Sequence, residues 1–277
     1  MKKLLIALML CVAAPSFAQY GCYDSCGDSC YDDSCGSGTE CCCCCGFSLT
    51  PYAWFPVFKG DILIDGTTVD VDSSITDMLK DSSSWCIWGV HGEWQQNCWG
   101  AHFDISYGSL TFKKQEETTT PQAAQVDIDQ FMVEFQPRYR LWQCGTRADG
   151  CPCTAFDVTA GIRYVNNDIT FKLADTTKLD KKMNWWEPLV GARFETDLGN
   201  CWDFVLQGDV GGFGAGAEFS WHFDGMFRYS ICFCNCKGAW VFGYKGIYED
   251  YKDGSGADRH EYKVTQHGPY TGYTFAF

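Results

Sequence analysis

Cysteine is the residue type in this chain with the most chemistry to offer. The sequence has 19 cysteines among 277 residues, a density that is rare in cytosolic proteins, where thiols stay reduced. Their spacings are C-x-x-x-C, C-x-C and one run of five from Cys41 to Cys45. Zinc sites use spaced pairs such as C-x-x-C with a second pair or with histidines. Disulfide bonds in an oxidising compartment are therefore favoured over metal binding, and we expect neither a metal nor a cofactor.

Adjacent cysteines cannot all pair with one another, because a disulfide requires a particular separation and orientation of its two residues. Many of the thiols must therefore reach other turns of the same chain or other chains. Both alternatives remain open, a local structural cluster and cross-links between chains, and we favour the second as a hypothesis. The disulfide candidates are Cys22, Cys26, Cys30, Cys35, Cys41, Cys42, Cys43, Cys44, Cys45, Cys98, Cys144, Cys151, Cys153, Cys201, Cys232, Cys234 and Cys236.

Histidines are the other residues that could carry catalysis. His260 lies two positions from Asp258 and could form the Asp/His pair of a protease, whereas His91, His102 and His222 have no evident serine partner. A catalytic base must lie within hydrogen-bonding reach of the group that it serves, and no spacing here predicts such an arrangement. We expect no enzyme. The formal net charge of −14 also argues against nucleic acid as a partner, since its binding needs concentrated Lys and Arg.

The first residues predict export from the cytoplasm. Lys2 and Lys3 precede an apolar stretch at 4–14, and Ser16-Phe17-Ala18 forms a small-residue cleavage site, as in a signal peptide. The apolar stretch is shorter than the roughly 20 residues of a membrane-spanning helix. We therefore divide the chain into a signal peptide at 1–18, a cysteine-rich periplasmic segment at 19–45 and a folded domain at 46–277.

An alternation with a period of two runs through the folded domain. From Ala217 to Ile231, apolar residues at nearly every odd position alternate with polar residues at most even positions, which is typical of a β-strand. Strands of soluble sandwiches alternate over about 4–8 residues, whereas a tilted strand needs about 9–11 residues to cross a bilayer. The pattern predicts an all-β, antiparallel, up-and-down transmembrane barrel of about ten strands (8–12), at 47–58, 84–95, 97–112, 126–142, 154–172, 184–198, 200–210, 216–233, 238–250 and 260–277.

The predicted connections alternate between short and long, which is the rule for outer-membrane barrels with short periplasmic turns. An even strand count places both termini in the periplasm. The first long connection contains its own pattern: residues 61–71 predict a hairpin with an Asp-Gly turn. Ser73 or Ser74 could then cap a short helix, whose apolar face we expect to pack over or into the barrel mouth. The connection at 211–215 is short for an outer loop.

The polar face of the strands should point into the lumen, because the apolar face of a membrane barrel contacts lipid. Isolated buried charges are costly, so opposite charges in a narrow lumen should pair. Two interpretations remain: a salt-bridged plug, which we favour, and a narrow cation-preferring, porin-like pore for small solutes. The expected network comprises Glu134, Arg138, Arg140, Asp157, Arg163, Glu187, Arg193, Glu195, Asp203, Glu218, Asp224 and Arg228.

Residues 46–277 resemble the small outer-membrane β-barrel proteins of Gram-negative bacteria. The resemblance rests on four segments: LTPYAW at 49–54, GIRY at 161–164, GDVGGFG at 208–214 and the ending GPYTGYTFAF at 268–277. It implies the bacterial outer membrane as location and its lipid as surroundings. It also implies that the terminal aromatic pattern is read by the barrel assembly machinery; the matching residues are Tyr273, Phe275 and Phe277.

The cysteine content resembles that of the cysteine-rich envelope proteins of chlamydia-like bacteria, in which cross-linking stiffens the cell wall. All cysteines after the leader except Cys86, which lies near an outer strand end, precede the first strand or lie at short turns, hence on the predicted periplasmic side. The resemblance implies that disulfides to other cysteine-rich envelope proteins are formed there. The function expected from sequence is therefore a structural outer-membrane barrel that is disulfide-cross-linked on its periplasmic side to stabilise the cell envelope.

Overall fold

The computed structural model describes residues 45–64, 66–72, 87–113, 123–146, 151–173, 178–233 and 236–277. The predicted signal peptide, most of the cysteine-rich segment and the short helix expected after Ser73 lie outside these residues. Among the described residues no helix is long and apolar enough to cross a membrane.

The described chain is almost entirely antiparallel β-structure. The strands are β1 Cys45–Trp54, β2 Val57–Ile64, β3 Thr67–Asp72, β4 Ile87–Gln96, β5 Trp99–Lys113, β6 Ala123–Thr146, β7 Pro152–Leu173, β8 Lys178–Gly199, β9 Trp202–Ala215, β10 Ala217–Phe233, β11 Cys236–Asp253 and β12 His260–Ala276, with a 3₁₀ turn at Gly256–Asp258. Ten of them, β1 and β4 to β12, pair in order, and pairing of β1 with β12 closes the ring. The predicted ten-strand barrel is confirmed.

The two additional strands extend the wall on one side. β12 pairs with β1 along one part, where Trp54 faces Tyr270, and with β2 along the other, where Val57 faces His267. β2 thus continues β1 along the same neighbour and then turns back through β3. Gly66 has φ of 77° in this turn, a conformation that glycine adopts without strain. The hairpin predicted at 61–71 is confirmed.

The barrel has two different ends. The start of β1 and the end of β12 lie together, since Phe47 N–H donates to the carbonyl of Phe277. The tight turns at 97–98 and 200–201 are at this same end, and Asn97 and Asn200 adopt positive φ there. We call it the termini end and the opposite one, which carries β2 and β3, the hairpin end.

Several strands are much longer than a membrane requires. β6 has 24 residues, and β7 and β8 have 22 each, against the nine to eleven or so that span a bilayer. At about 3.3 Å per residue and a tilt of about 40°, β6 rises about 60 Å, more than twice the roughly 25 Å height of an apolar band. The strand limits predicted from sequence were too short here, and the loop predicted at 211–215 belongs to β9.

The polarity of the wall inverts along these long strands. From Phe156 to Tyr164, the alternate residues of β7 that face outward are apolar, but further along its outward residues include Asp168 and Thr170. On β6 the same change runs in the reverse order along the chain: Asp129 is a polar outward residue, and the next outward residue is apolar. The outward surface is thus apolar over a band that fits lipid and polar beyond it. Large exposed apolar side chains of the band include Trp88, Tyr107, Phe135, Ile162, Trp186, Phe223 and Phe242.

At the same level the polarity of the inward face changes in the direction opposite to that of the outward face. Towards the hairpin end the interior is an apolar core, whereas within the apolar band it is charged. We call the part with polar exterior and apolar interior the head. Burying one such side chain contributes about 1.5–3 kcal/mol, so the head is held together as a water-soluble β-protein is. Its buried side chains are Phe58, Ile62, Ile64, Val69, Val71, Leu110, Val126, Ile128, Ile169, Phe171, Met183, Trp185, Tyr262 and Val264.

Candidate functional site

Among the described residues, the lumen of the apolar band holds a dense group of charged side chains, and Arg163 is at the centre of the part nearer the head. Arg163 is 1% exposed on the inward face of β7. Its guanidinium donates to Glu134 on β6 at 2.8 Å, to Glu187 on β8 at 2.9 Å and to Asp209 on β9 at 2.8 Å. One arginine thus joins three carboxylates from three different strands.

Two histidines complete this network. His102 Nε2 lies 3.2 Å from Glu134, and His222 Nδ1 lies 3.0 Å from Asp209. Gln136 donates to both of these carboxylates, at 2.7 and 3.1 Å. Glu134, Asp209 and His222 bring potential ligand atoms within 4.8 Å of one another, a spacing that could hold a metal ion. The carboxylates are already held by a guanidinium and an amide, whereas His102 Nδ1, His222 Nε2 and Gln136 Oε1 have no hydrogen-bond partner among the described residues.

A second network lies closer to the termini end. Arg193, buried on β8, contacts Glu195 at 2.6 Å and reaches Glu93 on β4 at 3.2 Å. Arg138 on β6 contacts Glu93 from the other side at 3.4 Å. Arg140 binds Asp157 of β7 at 2.8 Å. In addition, Arg228 of β10 forms an ion pair with Glu195.

A third group lines the wall formed by β1, β5, β10, β11 and β12. The Tyr52 hydroxyl donates to Asp104 at 2.7 Å, and the Tyr270 hydroxyl donates to Asp224 at 2.8 Å. The ammonium of Lys245 lies 3.6 Å from Asp104 and 5.4 Å from the ring centroid of Tyr52. A cavity of about 20 Å³ lies among these side chains, which is room for about one or two water molecules.

Several of these contacts cross the lumen rather than follow the wall. β4 and β8 are four places apart in the ten-strand ring, as are β5 and β11, and β8 and β12. Yet Arg193 meets Glu93, and Lys245 meets Asp104. In the head, Lys181 Nζ lies 2.6 Å from His260 Nε2. Polar side chains therefore bridge distant walls at three levels between the two ends.

The structure places eleven of the twelve predicted network residues on the inward face, of which Glu195 and Arg228 are partly buried and the other nine are buried. Glu218 is the exception, and the prediction was wrong for this residue. The pairing of β9 with β10 shifts between Ala217 and Phe219. This irregularity interrupts the alternation, so that Glu218 is exposed.

Sequence reasoning missed some members of the networks. Asp209 was absent from the predicted set, although it continues the inward series of Asp203 and Gln207 on β9. Gln136 was also overlooked, because an uncharged amide was not expected to join two carboxylates. The alternation of inward and outward positions along each strand would have identified both residues. His260, considered beside Asp258, instead contacts Lys181 across the head.

The cysteines that the structure describes lie at the termini end. Cys98, Cys144, Cys151, Cys153 and Cys201 are disulfide-bonded. Cys45, Cys232 and Cys236 belong to the ends of β1, β10 and β11. The remaining candidates, Cys22 to Cys44 and Cys234, lie outside the described residues.

The predicted assembly signal lies on the strand that closes the barrel. Tyr273 and Phe275 have ring centroids 4.9 Å apart. Phe277 is 73% exposed, and its ring centroid is 6.1 Å from that of Phe47 on β1. The three aromatic residues thus mark the outside of the β1–β12 junction at the termini end.

Comparisons with known proteins find distant likenesses of structure. The chain is similar to Ail, the attachment invasion locus protein of Yersinia pestis, with 11% identity over 84% of this chain and 99% of that chain, at a TM-score of 0.35. It is similar to the outer membrane protein OprG from Pseudomonas aeruginosa with 12% identity over 87% and 98%, at a TM-score of 0.33. Neither a protein-family model nor a curated protein matches. Likenesses this distant leave the function to be argued from the side chains of this chain.

Proposed function

We propose that this chain is a structural β-barrel protein of a bacterial outer membrane, with a lumen sealed by paired charges. The observation that carries this proposal is the set of ion pairs that cross the lumen, above all Arg193 with Glu93. Barrels of about eight strands are filled by their own side chains, whereas those of sixteen or more leave a channel. Ten strands lie near the filled end of that range.

The energetics of buried charge favour a permanent seal. Removing one partner of a buried pair leaves the other charged and unpaired, at a cost of about 3–5 kcal/mol. Opening a continuous aqueous path past Arg193 would require its contacts with Glu93 and Glu195 to be broken together. A water-filled pore would instead solvate both partners.

Planar-bilayer recording separates the sealed barrel from the narrow cation-preferring channel. The wild-type chain is expected to give no conductance steps. Arg193→Ala removes one contact across the lumen, but Arg138 and Arg228 still bind Glu93 and Glu195 and the apolar core of the head remains, so this variant should give no steps either. Arg259→Ala removes an exposed head arginine and should leave the bilayer silent. Steps with a cation-selective reversal potential in the wild-type protein would establish the channel instead.

We also infer that the cysteines stabilise the envelope through disulfides on the periplasmic side, including cross-links to other cysteine-rich proteins. Support comes from the disulfide-bonded cysteines at the termini end and from the run Cys41 to Cys45, which cannot satisfy itself locally. Intramolecular bonds would account for the turn cysteines alone. The thiols of the N-terminal segment are those that we assign to other chains.

A non-reducing gel of envelopes, with thiols blocked before lysis, tests the cross-links. The wild-type protein should run above its monomer mass and return to it after reduction. Replacing the five consecutive cysteines with serine should abolish most of the shift, whereas Cys86→Ser should not, since Cys86 is predicted near an outer strand end. Migration at monomer mass without reductant removes the cross-linking proposal and leaves the sealed barrel untouched.

The location follows from the same surfaces. The leader predicts export, the apolar band predicts contact with outer-membrane lipid, and the closing strand carries the aromatic ending that we assign to the barrel assembly machinery. Both termini would then be periplasmic and the head extracellular. Phe277→Ala should reduce the amount of folded barrel recovered from outer membranes, whereas Phe213→Ala, which removes another exposed aromatic ring, should not. Protease added to intact cells should cleave the head and spare the termini end.

A further inference from the structure

A ring of buried polar side chains lies where the charged lumen meets the apolar head. On each strand that reaches this level, the first inward polar residue below the head core is almost completely buried. We call this ring the collar. Its members are Ser106, Gln130, Asn167, Glu187, Ser220, Glu249 and Gln266, each no more than 2% exposed.

The collar has more hydrogen-bond acceptors than the described residues satisfy. Both carboxylate oxygens of Glu249 are buried without a hydrogen-bond partner, and so is Oε2 of Glu187. Three amide oxygens share this condition, on Gln130, Asn167 and Gln266, and so do the amide nitrogens of Gln130 and Asn167. Most buried polar atoms in folded proteins are hydrogen-bonded, and the six oxygens without a partner on these five collar residues outnumber the two amide nitrogens in the same condition.

The collar also has more negative charge than positive. Glu187 receives a hydrogen bond from Ser220 at 3.0 Å and one from Arg163 at 2.9 Å. That same guanidinium also binds Glu134 and Asp209, so one cation serves three anions before Glu249 is counted. Glu249 lies next to Ser220 in the pairing of β10 with β11 and is fully buried. An ionised carboxylate in that position is costly unless a positive charge reaches it.

We propose that the collar binds a divalent cation of the Ca²⁺ type. Hard cations take six to eight oxygen ligands, with carboxylates and amide carbonyls in combination, which is the donor set that the collar offers. Glu249 and Glu187 supply the anionic oxygens, and Gln266, Asn167 and Gln130 supply neutral ones.

The cation would connect the head to the barrel. The proposed ligands come from β6, β7, β8, β11 and β12, five strands that continue from the apolar band into the head core. Arg163 does not compete with the cation for the same atom, since its guanidinium binds Oε1 of Glu187, whereas Oε2 has no partner among the described residues. The site is also distinct from Glu134, Asp209 and His222, whose carboxylates are held by Arg163 and Gln136. This inference does not depend on whether the lumen conducts.

The test uses the full-length chain in detergent, stripped with chelator and then titrated with CaCl₂. Metal analysis after dialysis against Ca²⁺ should find one ion per wild-type chain, and calorimetric titration should give a single site. A ligand present at 100 times its Kd stabilises the folded state by about 2.7 kcal/mol, which for a domain of this size raises Tm by about 5–10 °C. Tryptophan fluorescence during heating measures that shift.

Two variants and one control assign the binding to the collar. Glu249→Gln keeps the shape of the side chain, removes its charge and should abolish both the bound ion and the Tm shift. Gln266→Leu removes one neutral ligand and should weaken Ca²⁺ binding at least tenfold. Glu218→Gln changes an exposed carboxylate and should behave as the wild type.

Three results would overturn the proposal. The first is a wild-type chain that takes up no Ca²⁺ and shows no Tm shift. The second is a Glu249→Gln variant that retains both. The third is a Glu249→Gln variant that is more stable than the wild type at every Ca²⁺ concentration, which would identify Glu249 as a protonated acid or a water ligand. If Glu249→Gln fails to fold, wild-type metal analysis and the affinity of Gln266→Leu decide the question.

Discussion

The level at which the wall changes polarity makes a quantitative prediction about β7. Ala160 and Thr170 both face outward on this strand, ten residues apart. Ala160 is near the middle of the apolar stretch from Phe156 to Tyr164, whereas Thr170 is beyond it, hydrogen-bonded to Asp180 at 2.6 Å on the exterior of the head. Replacing each of the two residues with arginine places the same charge against lipid at position 160 and against water at position 170.

The expected costs differ by a measurable amount. Arginine on the lipid face near the bilayer midplane destabilises a barrel by about 2–4 kcal/mol, and Ala160→Arg removes no large side chain that would add to this. Surface substitutions in water stay within about 0.5 kcal/mol, and an arginine at position 170 would lie beside Asp180. Reversible urea unfolding in phospholipid vesicles, followed by tryptophan fluorescence, measures both. Equal costs, or a larger one for Thr170→Arg, would refute the assignment of the apolar band and of the head.

Three further predictions concern the head and the lumen. Phe171→Ala should cost about 3–5 kcal/mol, because the fully buried ring leaves a cavity in the head core, whereas truncating lipid-exposed Phe135 should cost much less in the same vesicle assay. Glu93→Gln should weaken the contacts of Arg138 and Arg193 together, so its effect on Tm and that of Arg193→Gln should be far from additive when combined. On the head exterior, partial burial raises the pKa of Asp127, but hydrogen bonds from Lys172 and Gln125 outweigh this effect and hold the pKa below its usual range. The stability that this carboxylate contributes is therefore present above its unfolded pKa and is lost as the pH falls through its folded pKa. Since the pair is largely exposed, the contribution is well under about 1 kcal/mol, and a Tm difference between wild type and Asp127→Asn at pH 7 that persists at pH 2 would contradict this.

The strand pattern of the band could be predicted because lipid and lumen impose opposite requirements on successive residues. Phe156, Val158 and Ile162 alternate with Asp157 and other small or polar residues, and that alternation leaves the class of fold in little doubt. The ends of the strands were harder to place. In the head the alternation continues with its sense reversed, so Leu179 and Met183 point inward among the lysines of β8. The prediction relied on apolar residues at outward positions, and these occur only where the wall contacts lipid. Residues 178–183 were therefore predicted to lie outside a strand.

The lumen could be predicted only as a set of residues and not as a set of contacts. Parity along a strand determines that Arg163 and Glu134 face inward, but their partners depend on how the strands are staggered around the ring. The stagger brings Asp209 of β9 to the guanidinium of β7, across β8. It also lets a bulge beside Ala217 turn Glu218 outward. Neither effect is encoded in the period of two.

The inversion also explains why one chain contains two different kinds of core. Within the bilayer, lipid already surrounds the apolar residues, so burying them inside would stabilise nothing, and the interior is left to Arg163, Arg193 and their carboxylates. Beyond the bilayer, water surrounds the wall, and Phe58, Ile128 and Phe171 gain free energy by turning inward. At the boundary neither arrangement applies fully: the head shields the side chains there from water, and the network beneath pairs only some of them, such as Glu187 with Arg163. Glu249 is the residue for which this matters most, since neither of its carboxylate oxygens has a hydrogen-bond partner among the described residues.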